Sequence, residues 1–184
     1  MDGKLDIRID HPHLPMKALL FLLCLVSGFV ADVGAKTPGE VEVGSVLRDA
    51  PLYGFFGDFR RLSELRGKPL IINVWASWCG PCRAEMGSLE RLSRRSGGQK
   101  IKVIGISTDD DANAAAAFLV KSRVTFDNYL DRKLLLENML GAKMIPLTVL
   151  VDARGRVVKK VSGYHEWDSP EALLMISKVF GLKI

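Results

Sequence analysis

Apolar residues along this chain come in short runs separated by polar, glycine and proline breaks, and the runs alternate between strand-like and helix-like spacing. Leu70–Trp75 is apolar and partly β-branched, as a strand buried on both faces must be. Ala76-Ser77 turns the chain, and a helical spacing then runs through Arg83, Met86, Leu89, Leu92 and Ser93 until Gly97-Gly98 stops it. The next segments predict a strand at 101–107, a helix at Ala112–Lys121, a short extended piece at 124–126 and a helix over 132–140. A second buried strand, Leu147–Val151, connects through Asp152-Ala153-Arg154-Gly155 to 156–162, a spacing that predicts a hairpin. Ser169-Pro170-Glu171 caps a last helix that ends at Gly181. Alternating strands and helices closed by an antiparallel pair predict an α/β domain with a central mixed β-sheet flanked by helices.

Composition adds limits. The chain has 184 residues, of which 48% are hydrophobic and 26% charged, which excludes a disordered or collagen-like chain. A domain of about 150 residues buries roughly two-thirds of its unfolded surface and needs neither a metal nor a disulfide scaffold to stand. The net charge of +5 comes from Lys and Arg spread along the chain, so it implies solubility and mild attraction to anionic surfaces, with no nucleic-acid partner.

The longest apolar run, residues 18–31, is broken by Ser27 and Gly28 and is short for a bilayer-spanning helix of about 20 residues. Met16-Lys17 ahead of it, 19–30 as its apolar centre and Val33-Gly34-Ala35 before Lys36 have the pattern of a signal peptide and its cleavage site. Residues 1–35 are therefore expected to form a leader and 36–184 the working domain, exported to the periplasm. Asp2, Asp6 and Asp10 fit poorly ahead of such a run, which makes Met16 a candidate start. The alternative is an anchor formed by residues 18–31 with the domain held outside the cytoplasm. Cys24 follows Leu22-Leu23 inside the run, whereas a lipoprotein cysteine follows small residues.

Within 36–184 the cysteines are Cys79 and Cys82. A pair two residues apart builds no scaffold. Zinc would need four ligands where this domain has one histidine, His165, and four-cysteine iron–sulfur ligation fails on the count. An exported domain whose thiols form Cys79-Gly80-Pro81-Cys82 is most economically a dithiol–disulfide redox centre, with no metal and no cofactor. Asp109-Asp110-Asp111 sits at a predicted helix start and is expected to be a capping, solvated face rather than a metal cluster.

The segment Trp75-Ala76-Ser77-Trp78-Cys79-Gly80-Pro81-Cys82-Arg83-Ala84-Glu85 resembles the active site of thioredoxin-fold thiol-disulfide oxidoreductases, and specifically the exported TlpA/ResA/DsbE-like family. The likeness runs from about Glu42 to the C-terminus. It includes Leu62-Ser63-Glu64-Leu65-Arg66-Gly67-Lys68-Pro69 before the first core strand and an extra strand–helix unit before Ile145-Pro146-Leu147-Thr148. It implies a thioredoxin fold with an N-terminal extension and a central strand–helix insertion.

In disulfide exchange the thiolate attacks, and a free thiol with a pKa of about 8.5 is only slightly ionised at neutral pH. A helix N-terminus offers unpaired N–H donors and the positive end of the dipole. Lowering the Cys79 pKa to about 7 would favour its thiolate by roughly 2 kcal/mol. Cys79 is thus the expected nucleophile. Cys82, one helical turn on, would attack the Cys79 sulfur of a mixed disulfide and release the reduced substrate. Pro81 suits the first turn, where its missing N–H does no harm.

Further site residues follow from the resemblance. Thioredoxins bury an aspartate six residues before the first cysteine, where this chain has Asn73, which carries no titrating proton. Glu85, three residues after Cys82, matches a glutamate of the ResA/DsbE branch and is implied to be a proton acceptor that tunes Cys82; otherwise it is a solvated glutamate in the helix's first turns. Sequence alone favours a trans Ile145–Pro146 bond, and the resemblance implies cis, with the Ile145 backbone left to pair with a substrate strand. Trp78, Ile145, Pro146, Gly163 and Tyr164 would form an apolar substrate-binding patch around Cys79. His165 stands at its rim, either favouring the Cys79 thiolate when protonated or acting as a loop residue without effect.

The implied function is that of an exported protein-disulfide reductase. It would give electrons to disulfide-containing exported proteins, apocytochrome c among them, and be re-reduced by a membrane-bound thiol donor. Cytochrome-maturation members of the family often carry a glutamate after the proline, where this chain has Leu147. A disulfide oxidase or isomerase would use the same pair, and the reduction potential separates these directions. A peroxiredoxin-like peroxidase would need a threonine-and-cysteine peroxide site, which does not accompany Cys79. A thioredoxin-shaped binding module or chaperone would keep full activity after Cys79→Ser.

Overall fold

A computed structural model describes residues 37–96 and 100–183. The expected leader, its cleavage site, the alternative anchor, Met16 and Cys24 lie outside the described residues. Among the described residues, no helix is long and apolar enough to cross a membrane.

The chain begins with two short strands, β1 (Pro51–Tyr53) and β2 (Phe59–Arg61), and a 3-10 turn at Leu62–Leu65. It continues through β3 (Leu70–Trp75), α1 (Gly80–Ser96), β4 (Lys102–Ser107), α2 (Ala112–Lys121), β5 (Asp127–Leu130) and α3 (Leu135–Leu140). A hairpin of β6 (Leu147–Val151) and β7 (Val157–Ser162) and a last helix, α4 (Pro170–Phe180), complete it. Five strands form one sheet in the order β5-β4-β3-β6-β7. β3 is parallel to β4 and antiparallel to β6, β4 is parallel to β5, and β6 is antiparallel to β7. This is the mixed α/β sheet expected, and with the helices it makes a thioredoxin fold.

β3 is the centre of the sheet because all six of its side chains are buried. Alternation along a strand sends them to opposite faces. Ile72 and Val74 join Ile104, Ile106, Leu147 and Val149 in one cluster, which Leu136 and Leu140 of α3 cover. Ile71 and Trp75 join Val103 and Leu150 in the other, under Met86, Leu89 and Leu92 of α1 and Ile176 of α4. The expected strand–helix insertion is β5 with α3, between α2 and β6. β1 and β2 pair as a separate antiparallel ribbon, and Gly54 bridges Tyr129 on β5.

Four elements differ from the sequence pattern. The extended piece expected at 124–126 is not a strand; the strand is Asp127–Leu130, one step later. The reason is Glu90, whose carboxylate accepts the backbone N–H groups of Thr125 and Phe126 at 2.7 and 3.4 Å and so removes them from any ladder. Likewise α3 starts at Leu135 and not at 132, because the buried Asp131 carboxylate accepts the N–H groups of Leu135, Leu136 and Glu137. β1 and β2, three residues each, carry too short a pattern to be seen.

Gly105 in β4 lies against the Trp75 indole and the Asn128 side chain, which hydrogen-bond to each other at 3.0 Å. A Cβ on Gly105 would sit 1.9 Å from Asn128 Oδ1 and 2.9 Å from Trp75 Nε1. Gly105→Ala is expected to displace that pair and destabilise the domain by about 1–3 kcal/mol, seen as a lower urea midpoint at an unchanged m-value.

Candidate active site

The end of β3 delivers the chain to the N-terminus of α1, and the cysteines stand at that junction. Cys79 N–H donates to the Ala76 carbonyl at 3.2 Å, and the Cys79 carbonyl accepts from Arg83 N–H at 3.0 Å, which makes Cys79 the residue that opens the helix. Cys82 N–H points at Cys79 Sγ at 3.2 Å. The two sulfurs are joined as a disulfide. Cys79 keeps 6% of its surface exposed and Cys82 none, so only the first sulfur presents an edge to a partner.

The loop before the pair is clamped from the segment that follows β4. Ser77 N–H donates to both Asp109 carboxylate oxygens at 3.1 and 2.9 Å, and the Ser77 hydroxyl donates to Oδ1 at 2.6 Å. The Ser107 hydroxyl donates to Oδ2 at 2.8 Å. Asp109 is buried, so the expectation of a wholly solvated capping run is corrected here: Asp111 caps α2 through Asn113 N–H, while Asp109 faces inward because these donors satisfy it.

Glu85 has no exposed surface, which rules out a solvated helix face for it. It follows Cys82 by three residues on the buried side of α1, a spacing that makes the two side chains neighbours. Its Oε1 accepts from Asn73 Nδ2–H at 2.7 Å. Its Oε2 accepts from His165 N–H at 3.1 Å and Trp167 Nε1–H at 3.2 Å. Burial pushes the carboxyl above the ordinary glutamate range, while these hydrogen bonds and the His165 charge pull the other way.

Ile145–Pro146 is cis, and Cys79 Sγ lies 3.8 Å from the Ile145 carbonyl oxygen. Gly163 N–H donates to the Pro146 carbonyl at 2.9 Å. The structure thus brings Cys79, Ile145, Pro146 and Gly163 together. Trp78 and Tyr164, their sequence neighbours, are exposed, as is Met144, and the Tyr164 hydroxyl donates to Glu166 at 2.7 Å. His165 is tied to the site through its backbone contact with Glu85; its ring pairs with the Gly163 carbonyl and tilts against Trp167. Among the described residues, no three His, Cys, Asp or Glu side chains gather closely enough to hold a metal ion.

Sequence reasoning missed Asp109, Trp167 and Thr148, and took Asn73 only as a residue without a proton. A lone polar residue in each of two apolar strands, Asn73 in β3 and Thr148 in β6, was the available signal, and the two are hydrogen-bonded across the sheet at 3.0 Å. Nothing local marks Trp167.

Comparison with known proteins agrees with this geometry. The family model described as Redoxin matches residues 60–175. A thiol-disulfide oxidoreductase ResA of Geobacillus thermodenitrificans is 29% identical over 153 residues, 82% of this chain and 88% of the relative. The ResA of Halalkalibacterium halodurans is 28% identical over 137 residues, 74% and 75% of the two chains. A Chlorobium tepidum structure described as a thiol:disulfide interchange protein DsbE superimposes with a TM-score of 0.70 at 25% identity, covering 76% of this chain and 99% of that one.

A raised carboxyl pKa means that the native state holds the proton more tightly than the unfolded chain, so this group's contribution to stability is lost as pH rises through its folded value. Melting temperatures of the oxidised protein and of Glu85→Gln, measured between about pH 4 and 8, should therefore diverge in favour of the variant as pH rises. A difference that stays constant with pH would show that Glu85 does not titrate in this way.

Proposed function

Because the chain belongs to the redoxin family and is a thioredoxin-fold thiol-disulfide oxidoreductase, we propose that it is an exported reductase that passes electrons to disulfides in other exported proteins. The observation that carries this reading is the asymmetry of the disulfide. One sulfur is at the rim of the helix N-terminus, the other is sealed, and a buried carboxyl lies one turn beyond the sealed one.

In the dithiol form, the Cys79 thiolate attacks one sulfur of a substrate disulfide. A mixed disulfide forms and the first substrate sulfur leaves as a thiolate. Glu85 takes the proton of Cys82, whose thiolate attacks Cys79 Sγ. The Cys79–Cys82 disulfide closes, the second substrate thiolate leaves, and two electrons have passed to the substrate. A carboxylate beside Cys82 opposes a second negative charge there, which disfavours the thiolate form of the pair and makes it a better electron donor. A membrane-bound thiol donor then returns the pair to the dithiol.

The substrate is an extended, partly unfolded polypeptide. Its backbone pairs with Ile145 beside Pro146, and Trp78, Gly163 and Tyr164 offer it an apolar surface. Apocytochrome c has this character and is one candidate in the periplasm.

The test is reduction of a model protein disulfide by the purified dithiol form. Cys79→Ser should abolish it, and Cys82→Ala should accumulate mixed disulfides on Cys79. Glu85→Gln should slow the resolving step about tenfold or more and flatten its pH profile. A reductase should equilibrate closer to about −270 mV than to the about −120 mV of a strong dithiol oxidant. A potential at the oxidising end would reverse the proposed direction.

A further inference from the structure

Glu85 divides three donors between two oxygens. Oε2 is taken twice, by His165 N–H and Trp167 Nε1–H, and Oε1 once, by Asn73 Nδ2–H. All three suit a carboxylate. A protonated carboxyl carries an O–H that must find an acceptor, and it cannot sit on Oε2 against two donors. Neither a backbone N–H nor an indole N–H can become an acceptor, whereas an amide can, by turning over about its terminal side-chain bond. Of the three partners, only Asn73 can serve both protonation states.

A second observation concerns Asn73 itself. It is fully buried, its Nδ2 donates to the Thr148 hydroxyl oxygen at 3.0 Å as well as to Glu85, and its Oδ1 has no partner. A buried carbonyl without a donor is costly, so this orientation is not locked from its other pole. As it stands, the amide donates two hydrogen bonds and leaves Oδ1 alone. Turned over, it would accept two, from a Glu85 O–H and from the Thr148 hydroxyl, which rotates to suit, and leave Nδ2 alone. The two orientations make equal numbers of bonds, and the choice falls to whether Glu85 Oε1 presents a lone pair or a hydrogen.

We propose that Asn73 is a positioning residue whose side-chain amide reverses when Glu85 gains a proton, donating to the carboxylate and accepting from the acid. The inference rests on the reading of Glu85 as the proton acceptor of Cys82. The titratable groups facing Glu85 are Cys82 on its own helix and His165 and Tyr164 on the segment that follows β7; β3 and β6 contribute the uncharged Asn73 and Thr148. Protonation at Oε1 would then keep a hydrogen bond throughout instead of confronting a donor. Because Thr148 follows Pro146 by two residues, the reversal is felt in the strand that bears the proposed substrate loop.

The experiment is a pH titration of the isotopically labelled full chain in its dithiol form, followed by NMR at the Glu85 carboxyl carbon and the Asn73 side-chain amide. Cross-relaxation from the Asn73 Hδ2 protons to Glu85 and to the Thr148 methyl should be lost over the same pH interval in which the Glu85 carbon titrates. An amide whose contacts persist while Glu85 titrates overturns the proposal and leaves the proton role of Glu85 standing. A Glu85 carbon that stays fixed while Cys82 ionises overturns both. As a second measurement, Asn73→Leu should leave the Glu85 midpoint nearly unmoved, since an amide that serves both protonation states is lost to both. A rise of about one pH unit, which the loss of a donor fixed in one orientation would give, counts against the proposal.

Discussion

A carboxyl group sealed from solvent has to be surrounded by donors, and the demand made by Glu85 draws together the parts of this molecule that form its site. Asn73 comes from the central strand, the His165 N–H and the Trp167 indole from the segment between β7 and α4, and Thr148 is drawn in through Asn73 from β6. The opposing magnitudes are similar. Burying a carboxylate costs several kcal/mol, and hydrogen bonds to a charged group return about 1.5–3 kcal/mol each. With three such bonds neither side wins by much, which leaves both protonation states of Glu85 within reach.

The same device recurs with different consequences. Glu90 accepts backbone N–H groups that a strand would have used, Asp131 accepts those that open α3, and Asp109 accepts those of the loop before the cysteines. In each case a carboxylate at or near full burial satisfies backbone donors that fall outside the regular ladders. Asp109 fixes where Trp78 and Cys79 leave the sheet by holding both the N–H and the hydroxyl of Ser77. The geometry of the loop that leads to the cysteine pair is therefore set in part by Asp109, a buried acid that holds Ser77 and touches neither sulfur.

What could be read from sequence follows the same division. β3, α2, β6, β7 and α4 were legible because each is decided by its own periodicity or by a cap next to it. The position of β5 was not, because Val124-Thr125-Phe126 is more strand-like than the strand, and the residue that disqualifies it, Glu90, is 35 positions away. Cys79 and Cys82 were legible from their place at a strand-to-helix junction, and Ile145, Pro146 and Gly163 from a family likeness. The burial of Glu85 was not, since its donors come from distant segments and one of them is a backbone group whose residue type carries no signal.

Cys79 and Cys82 are chemically identical side chains, and one helical turn makes them different. At Cys79 the sulfur sits where α1 begins, receives the Cys82 N–H and faces the positive end of the helix, so negative charge is favoured on it. At Cys82 the sulfur is fully buried and one turn from a carboxyl that is itself buried, so a negative charge there is opposed by desolvation and by any charge on Glu85. The first thiol is suited to ionise on its own, and the second ionises readily only if its proton is accepted locally. The junction of β3 with α1 beside a buried glutamate gives the two sulfurs that difference.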